Sequence, residues 1–256
     1  MTLPTLPPMT WLRLAPEELG RWSWERHLSW PMPLDSSRTG RWEPELTELL
    51  AGLTPTAGDR PRGEERLLAT LAEVLSGPDE CAFAIRSVNG DESHFAAVRR
   101  GAEVVAVVDQ PGEVRIARID ETMIAVTVAA QLPRLAAAPT IRMAVPAGTA
   151  SLLSSGLQRG ADPETMRNAM ASAGIPEAIM SRLLAGDQAV TGSGMIGAVR
   201  FDAGSAKMSE RCASWTEMAG GALIAASGLG GDVVWEPFTA AAAARCLADA
   251  LTAVRT

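Results

Sequence analysis

The chain has 256 residues, of which 47% are hydrophobic and 21% are charged, and its formal net charge is −7. This apolar content excludes a mostly disordered chain, and an acidic chain without a basic stripe is poorly suited to bind nucleic acids or anionic membranes. Two His, no Tyr, three Cys and one Lys leave few of the side chains that usually perform acid–base catalysis. The composition therefore disfavours an enzyme without excluding one.

The cysteines indicate a reducing compartment, and the absence of a long apolar stretch indicates a soluble protein. Cys81, Cys212 and Cys246 are odd in number and widely spaced, which is typical of small buried residues rather than of a disulfide framework. The first ten residues lack the charged and apolar regions of a signal peptide, and no run of 18 apolar residues occurs. We therefore predict a soluble, cytoplasmic protein.

Residues 1–42 form a segment rich in Pro and Trp. Five of the seven tryptophans lie in it, and its prolines predict short elements only. We expect the tryptophans to anchor an irregular segment on the core, with a binding surface as the alternative. Further along, leucines at helical spacing predict a helix over residues 43–52 and a second helix that begins at Glu64 and extends to Leu75.

An antiparallel meander is predicted after the second helix. Residues 81–85 are typical of a strand, and Asn89–Gly90 is typical of a hairpin turn. Turns at Gly101 and Gly112 then separate further strands. Asp120 is placed to cap a helix at the end of this block.

The chain from Thr149 to Gly186 is predicted to form three short helices. The second begins at Asp162–Pro163 and the third at Gly174–Pro176. A C-terminal helix is predicted to follow its cap at Thr239. Between these helical parts, four strands are predicted over residues 195–201, 211–217, 221–226 and 232–236.

The two strand–helix blocks resemble each other. Gly101–Leu135 aligns without a gap on Gly220–Val254, and seven of the 35 aligned positions are identical. The apolar period, the glycine turns and the helix caps at Asp120 and Thr239 stay in register. We interpret this as an internal duplication with an approximate two-fold axis, the alternative being chance similarity between two Ala-rich segments.

Three patterns that could mark a catalytic or ligand site have structural explanations. Gly192–Gly197 fits G-x-G-x-x-G, but a predicted helix precedes it and a strand follows, whereas a nucleotide-binding turn leads from a strand to a helix. We therefore interpret the pattern as a flexible entry to a strand. His27 and His94 lack metal-ligand spacing to any Cys. Asp91–Glu92 is expected at a hairpin tip. We predict no catalytic residue, no metal and no cofactor.

The remaining feature is an apolar face on the helices of the middle segment. Met-rich and Leu-rich faces of this kind either pack in a core or bind a partner, and the sequence leaves both readings open. The residues of this face are Leu152, Leu153, Leu157, Ile175, Ile179, Met180, Leu183 and Leu184.

The order of these elements resembles that of the EspG family of type VII (ESX) secretion chaperones. The resemblance rests on Gly52–Leu53 ahead of a loop and helix, on Ala173–Pro176 ahead of a short helix, and on the closing segment around Val234–Pro237. It also includes the Met195–Val199 strand and covers about residues 43–254.

The resemblance implies an α+β fold with a central antiparallel twisted sheet, two helical bundles and quasi-two-fold symmetry. It implies a cytoplasmic, non-enzymatic chaperone that covers the apolar tip of a PE–PPE heterodimer and needs no cofactor. By position, the sheet and the C-terminal bundle, about Leu152–Leu184, would form the client groove. The strand at Met195–Val199 would contribute to it, so Met195 and Ile196 join the candidate partner-binding residues.

We therefore expect residues 1–42 to pack on a single EspG-like domain that spans residues 43–256. Its N-terminal half is expected over residues 43–148 and its C-terminal half over residues 149–256. A homodimer that pairs the apolar face is a further expectation for the client-free protein. The alternative function is that of a small-ligand-binding protein or an enzyme that uses surface carboxylates, with Asp91, Glu92 and Glu217 as its candidates.

Overall fold

The computed structural model of the chain has one large sheet with helices on both of its faces. Except for the side chains of Trp24, Ser154, Leu157 and Gln158, it describes residues 9–31, 34, 60–135, 142–159, 161–177, 180–181, 190–202, 205–218, 221–228 and 231–256. The strands are β1 (Leu12–Leu14), β2 (Glu80–Val88), β3 (Asp91–Arg100), β4 (Glu103–Gln110), β5 (Glu113–Arg118), β6 (Met143–Pro146), β7 (Val190–Asp202), β8 (Ser205–Met208), β9 (Ala213–Met218), β10 (Gly221–Ser227) and β11 (Asp232–Pro237). The helices are α1 (Pro16–Glu25), α2 (Arg62–Leu75), α3 (Ile124–Gln131, after a 3-10 turn over Glu121–Met123), α4 (Ala147–Arg159), α5 (Pro163–Ser172) and α6 (Ala240–Arg255).

The described strands form a single antiparallel sheet. Its order is β1-β5-β4-β3-β2-β7-β9-β10-β11-β6, and β8 pairs with one end of β7. Tight turns join the consecutive strands β2, β3, β4 and β5. In the turn between β2 and β3, Asn89 and Gly90 adopt φ values of 53° and 86°. Positive φ at both central residues matches the right-handed twist of the flanking strands, which explains the Asn-Gly pair. The predicted antiparallel meander is confirmed.

The sheet order is symmetric about its central pair, β2 and β7. On either side the order continues through three strands to a short edge strand, β1 in one half and β6 in the other. The edge strands also have matching registers. Leu12 lies opposite Ile116 and Met143 lies opposite Trp235, and the sequence alignment of the two halves pairs Ile116 with Trp235. Each half ends in a helix, α3 or α6. This arrangement supports the duplication inferred from the sequence.

The gapless alignment of the two halves is wrong by one residue along β4 and β10. It places Val104 on Leu223, but Val104 faces the layer of α3 and α6, whereas Leu223 faces the opposite layer. The hairpin after Gln110 closes over two residues, and the one after Gly228 closes over three. The extra residue moves each earlier side chain to the other face of the sheet.

Helices cover both faces of the sheet but leave part of one face open. Helices α3 and α6 pack together over a core that includes Phe95, Ile196 and Trp215. On the opposite face, α1 and α2 cover the first half of the sheet, while α4 and α5 cover the second half. The central strands pass between these two bundles.

A buried carboxylate fastens α6 to the sheet. Glu80, on β2, is 2% exposed and accepts a hydrogen bond of 2.9 Å from Nε of Arg255, at the end of α6. Nε of Arg99 on β3 lies 2.9 Å from the other oxygen of Glu80. Burial by itself would raise the pKa of Glu80, but the hydrogen bonds and charges of the two arginines outweigh burial and lower that pKa.

The N-terminal segment is more regular than predicted. Residues 12–25 form β1 and α1, and Pro16 occupies the first helical position, where its missing N–H is not needed. Trp30 is buried in the core of the first half, as expected of an anchor. In the first half of the sheet, β1 and α1 hold the places that β6 and α4 hold in the second half.

Two further expectations concern element boundaries. The strand predicted over residues 195–201 is longer and begins at Val190, and β6 and β8 were not predicted at all. The helix predicted over residues 43–52 lies outside the described residues.

Candidate functional site

A groove lies on the sheet where the two bundles leave the central strands open. We call it the sheet groove and define it by six side chains on β2, β7 and β9: Ile85, Ser87, Ser193, Met195, Ser214 and Thr216. The cavity above them has a volume of about 260 Å³. Ile85 and Met195 are half-buried against the core of the first half, so the groove continues directly from the edge of that core.

The strand registers arrange the sheet groove in two rows. Ser87 lies opposite Ser193, and Ser193 lies opposite Thr216, which gives a row of three hydroxyl groups across three strands. In the next row of the same face, Ile85 lies opposite Met195 and Met195 lies opposite Ser214. Directly opposite residues share a face of a sheet, so a polar row and a largely apolar row lie side by side.

Glycines in β7 support this floor by making room beneath it. A Cβ at Gly194 would overlap the indole ring of Trp215 and the carbonyl oxygen of Ile85. On the other face of the sheet, a Cβ at Gly197 would lie 2.8 Å from Cζ of Phe83 in the core of the first half. A Cβ at Gly192 would likewise lie 3.0 Å from Cδ of Glu217, beneath the floor. The G-x-G-x-x-G pattern is therefore a packing requirement inside a strand, and the interpretation of it as a flexible entry to a strand is wrong.

A partly buried ion pair crosses β7 at these glycines. Arg86 on β2 donates two hydrogen bonds of 2.7 Å to the carboxylate of Glu217 on β9, and the indole N–H of Trp215 donates a third of 3.0 Å. Burial would raise the pKa of Glu217, but the hydrogen bonds from Arg86 and Trp215 and the charge of Arg86 outweigh it and lower that pKa. The Glu217 carboxylate is therefore engaged in holding β2 and β9 together beneath the groove.

The structure places the ten predicted partner-binding residues in three groups. Leu152 on α4 is 53% exposed and Met195 is half-buried in the sheet groove. The buried members are Leu153, Ile175, Met180 and Ile196. The side chain of Leu157 and residues Ile179, Leu183 and Leu184 lie outside the described residues.

The buried members act as core residues in this structure. Leu153, Ile175 and Met180 pack in the core of the C-terminal bundle, which supports the core reading that the sequence left open. Ile196 follows Met195 on β7 and faces the layer of α3 and α6, because neighbouring strand residues point to opposite faces. Among the described candidates, Leu152 and Met195 have the most accessible side chains.

Sequence reasoning missed the polar residues of the sheet groove. Ser87, Ser193, Ser214 and Thr216 had no recognisable motif, and their chemistry depends on which strands are neighbours. The available signal was alternation, since Ser193 and Met195 point to the same face of one strand.

The other candidate groups lie elsewhere. His94 is buried with Nε2 at 3.5 Å from the Glu92 carboxylate, and Asp91 begins β3 at an exposed hairpin tip. Burial raises the pKa of the Cys81 thiol to about 12. Within the described ranges, no group of three or more His, Cys, Asp or Glu side chains could hold a metal ion.

A second, larger cavity of about 1050 Å³ lies between α2 and the 3-10 turn, away from β7 and β9. Both acidic and basic side chains line its wall.

In the part of the chain that the structure describes, no helix is long and apolar enough to cross a membrane.

Comparison with known proteins assigns the family of this α+β chain. A model of the EspG family matches residues 22–252. The chain therefore belongs to the EspG family, and the match includes part of the Trp-rich segment that the resemblance did not cover. A search of curated proteins found no match.

The chain is also similar to a solved structure, that of the Mycobacterium tuberculosis type VII secretion system chaperone EspG5 in complex with the PE25–PPE41 dimer. The TM-score is 0.66 and the sequence identity is 14%, and the similarity covers 95% of this chain and 96% of that chain. At this identity the likeness shows a shared fold. The predicted α+β fold with a central antiparallel sheet is confirmed.

Proposed function

We propose that this protein is a cytoplasmic chaperone that binds the apolar tip of a PE–PPE heterodimer and keeps it soluble for type VII secretion. The observation that carries the proposal is the EspG family match over residues 22–252. The shared fold with EspG5, which was solved in complex with the PE25–PPE41 dimer, adds support over nearly the whole of both chains. Binding, rather than catalysis, is the proposed activity.

The open face of the sheet suits this activity. Two bundles flank the sheet groove, and Leu152 places an exposed apolar side chain on the C-terminal bundle. A concave surface that combines apolar side chains with polar groups is typical of protein-binding sites. The net charge of −7 opposes self-association of a protein that presents such a surface.

Co-expression with a genomically adjacent PE–PPE pair tests the proposal. We expect a soluble complex of the three chains that elutes as one species in size-exclusion chromatography with light scattering, whereas the same pair expressed alone forms insoluble material. Light scattering of the chain alone also shows whether it forms a homodimer. Failure to form a complex with every adjacent PE–PPE pair would contradict the proposal.

Leu152→Glu is expected to weaken client binding about tenfold or more, because it places a charge on an exposed apolar contact. Its melting temperature should stay near that of the wild type, since Leu152 is 53% exposed. The neighbouring Leu153 is fully buried, and Leu153→Ala should lower the free energy of unfolding by roughly 3 kcal/mol. Titration calorimetry and thermal unfolding give both values, and undiminished binding by Leu152→Glu would remove α4 from the client surface.

A further inference from the structure

We propose that the hydroxyl row of the sheet groove recognises unpaired peptide groups in a turn of the client, beside one large apolar side chain that packs on Ile85 and Met195. This inference rests on the proposed function and adds the chemistry by which the site selects its client. The hydroxyl row consists of Ser87, Ser193 and Thr216.

The geometry of the row suits a short segment of polypeptide. Its three residues lie directly opposite one another on adjacent strands, and strands in a sheet are about 4.8 Å apart. The hydroxyl row therefore spans about 10 Å. Each hydroxyl group can donate one hydrogen bond and accept others, so the row can pair with both carbonyl and amide groups.

The hydroxyl groups are available for such pairing. In the described part of the chain, none of the three donates a hydrogen bond to a side chain or to the backbone. All three side chains are half-buried at the floor of the cavity. Burial beneath a client would leave these groups unsatisfied unless the client paired with them, and an unpaired buried hydroxyl is costly.

Charge and size define the occupant. None of the six groove side chains is charged, although 21% of the chain is, so the occupant is uncharged at this point. The volume of about 260 Å³ has room for one large side chain with its backbone. Peptide groups within helices and strands are already paired, so a partner with free ones presents a turn or a helix end.

The test compares variants that exchange a hydroxyl for a methyl group. Thr216→Val keeps the shape of the side chain but removes its hydroxyl group. We expect the double variant Thr216→Val/Ser193→Ala to bind a cognate PE–PPE pair about tenfold or more weakly than the wild type, as measured by calorimetry. Thr216→Ser keeps the hydroxyl group and should bind within about threefold of wild type. Thr252→Val, on α6 at the opposite face, is the matched control and should not change the affinity.

The sign of the effect separates this inference from a purely apolar contact. If the client touched the row by apolar contact alone, Thr216→Val would bind as well as wild type or more tightly, and that result would overturn the inference. Melting temperatures show whether each variant is folded. If the double variant does not fold, the comparison of Thr216→Val with Thr216→Ser shows whether the hydroxyl group is needed for binding. Absence of binding by the wild type would overturn the proposed function and this inference with it, whereas equal binding by the wild type and Thr216→Val overturns the inference alone.

Discussion

Gly194→Ala is expected to prevent folding or to lower the free energy of unfolding by at least roughly 3 kcal/mol. The added Cβ would overlap the ring of Trp215 and the backbone oxygen of Ile85, and neither can move aside. Trp215 is 2% exposed and packs on Phe238, with ring centroids 5.3 Å apart. Urea unfolding followed by circular dichroism measures the change.

Gly63→Ala is the matched control for this substitution. A Cβ at Gly63 would have no atom within 4 Å, and the residue lies in α2 with an ordinary helical backbone. Alanine should therefore stabilise the protein by up to about 1 kcal/mol. If Gly194→Ala were as stable as Gly63→Ala, the packing of Trp215 beneath β7 would not be as described.

Arg86→Met is expected to lower the free energy of unfolding by roughly 3 kcal/mol at neutral pH, because it leaves the Glu217 carboxylate buried without a cation. The side chains of Arg86 and Glu217 are 26% and 7% exposed, and their hydrogen bonds join β2 to β9 across β7. Chemical denaturation at several pH values measures the effect. The double variant Arg86→Met/Glu217→Gln removes the buried charge and should recover much of the loss.

The pH dependence should differ between the wild type and Arg86→Met. In the wild type the pKa of Glu217 lies below its ordinary value of 4.5, so its contribution to stability is present above that pH and is lost as the pH falls. Without Arg86, burial raises the pKa of Glu217, and protonation then relieves the cost as the pH falls. The stability difference between the two proteins should therefore narrow towards acidic pH. A constant difference would show that the charge of Glu217 is not the cause.

Features that depend on neighbours in the chain could be predicted from the sequence. Asp120 and Thr239 cap helices through hydrogen bonds to amides two and three residues further on. Asn89–Gly90 closes a hairpin for an equally local reason. The duplication stays a prediction from periodicity and turn chemistry, and its gapless alignment misses the extra residue after Gly228.

Features that depend on strand neighbours could not be predicted. Gly194 is required because Trp215, on another strand, crosses beneath it, and no local pattern contains that information. The hydroxyl row exists only because β2, β7 and β9 are adjacent. Leu152 and Leu153 have the same chemistry, yet one is exposed and the other buried, because one residue along a helix turns the side chain by about 100°.

If the client lies on the open face of the sheet, the methyl resonance of Met195 should report its binding. In protein labelled with carbon-13 at the methionine methyl groups, a cognate PE–PPE dimer should shift or broaden the Met195 signal on binding. Met170, buried in the C-terminal bundle, and Met123, beside the larger cavity, should keep their signals at the same positions. A complex that forms while the Met195 signal stays unchanged would contradict the account.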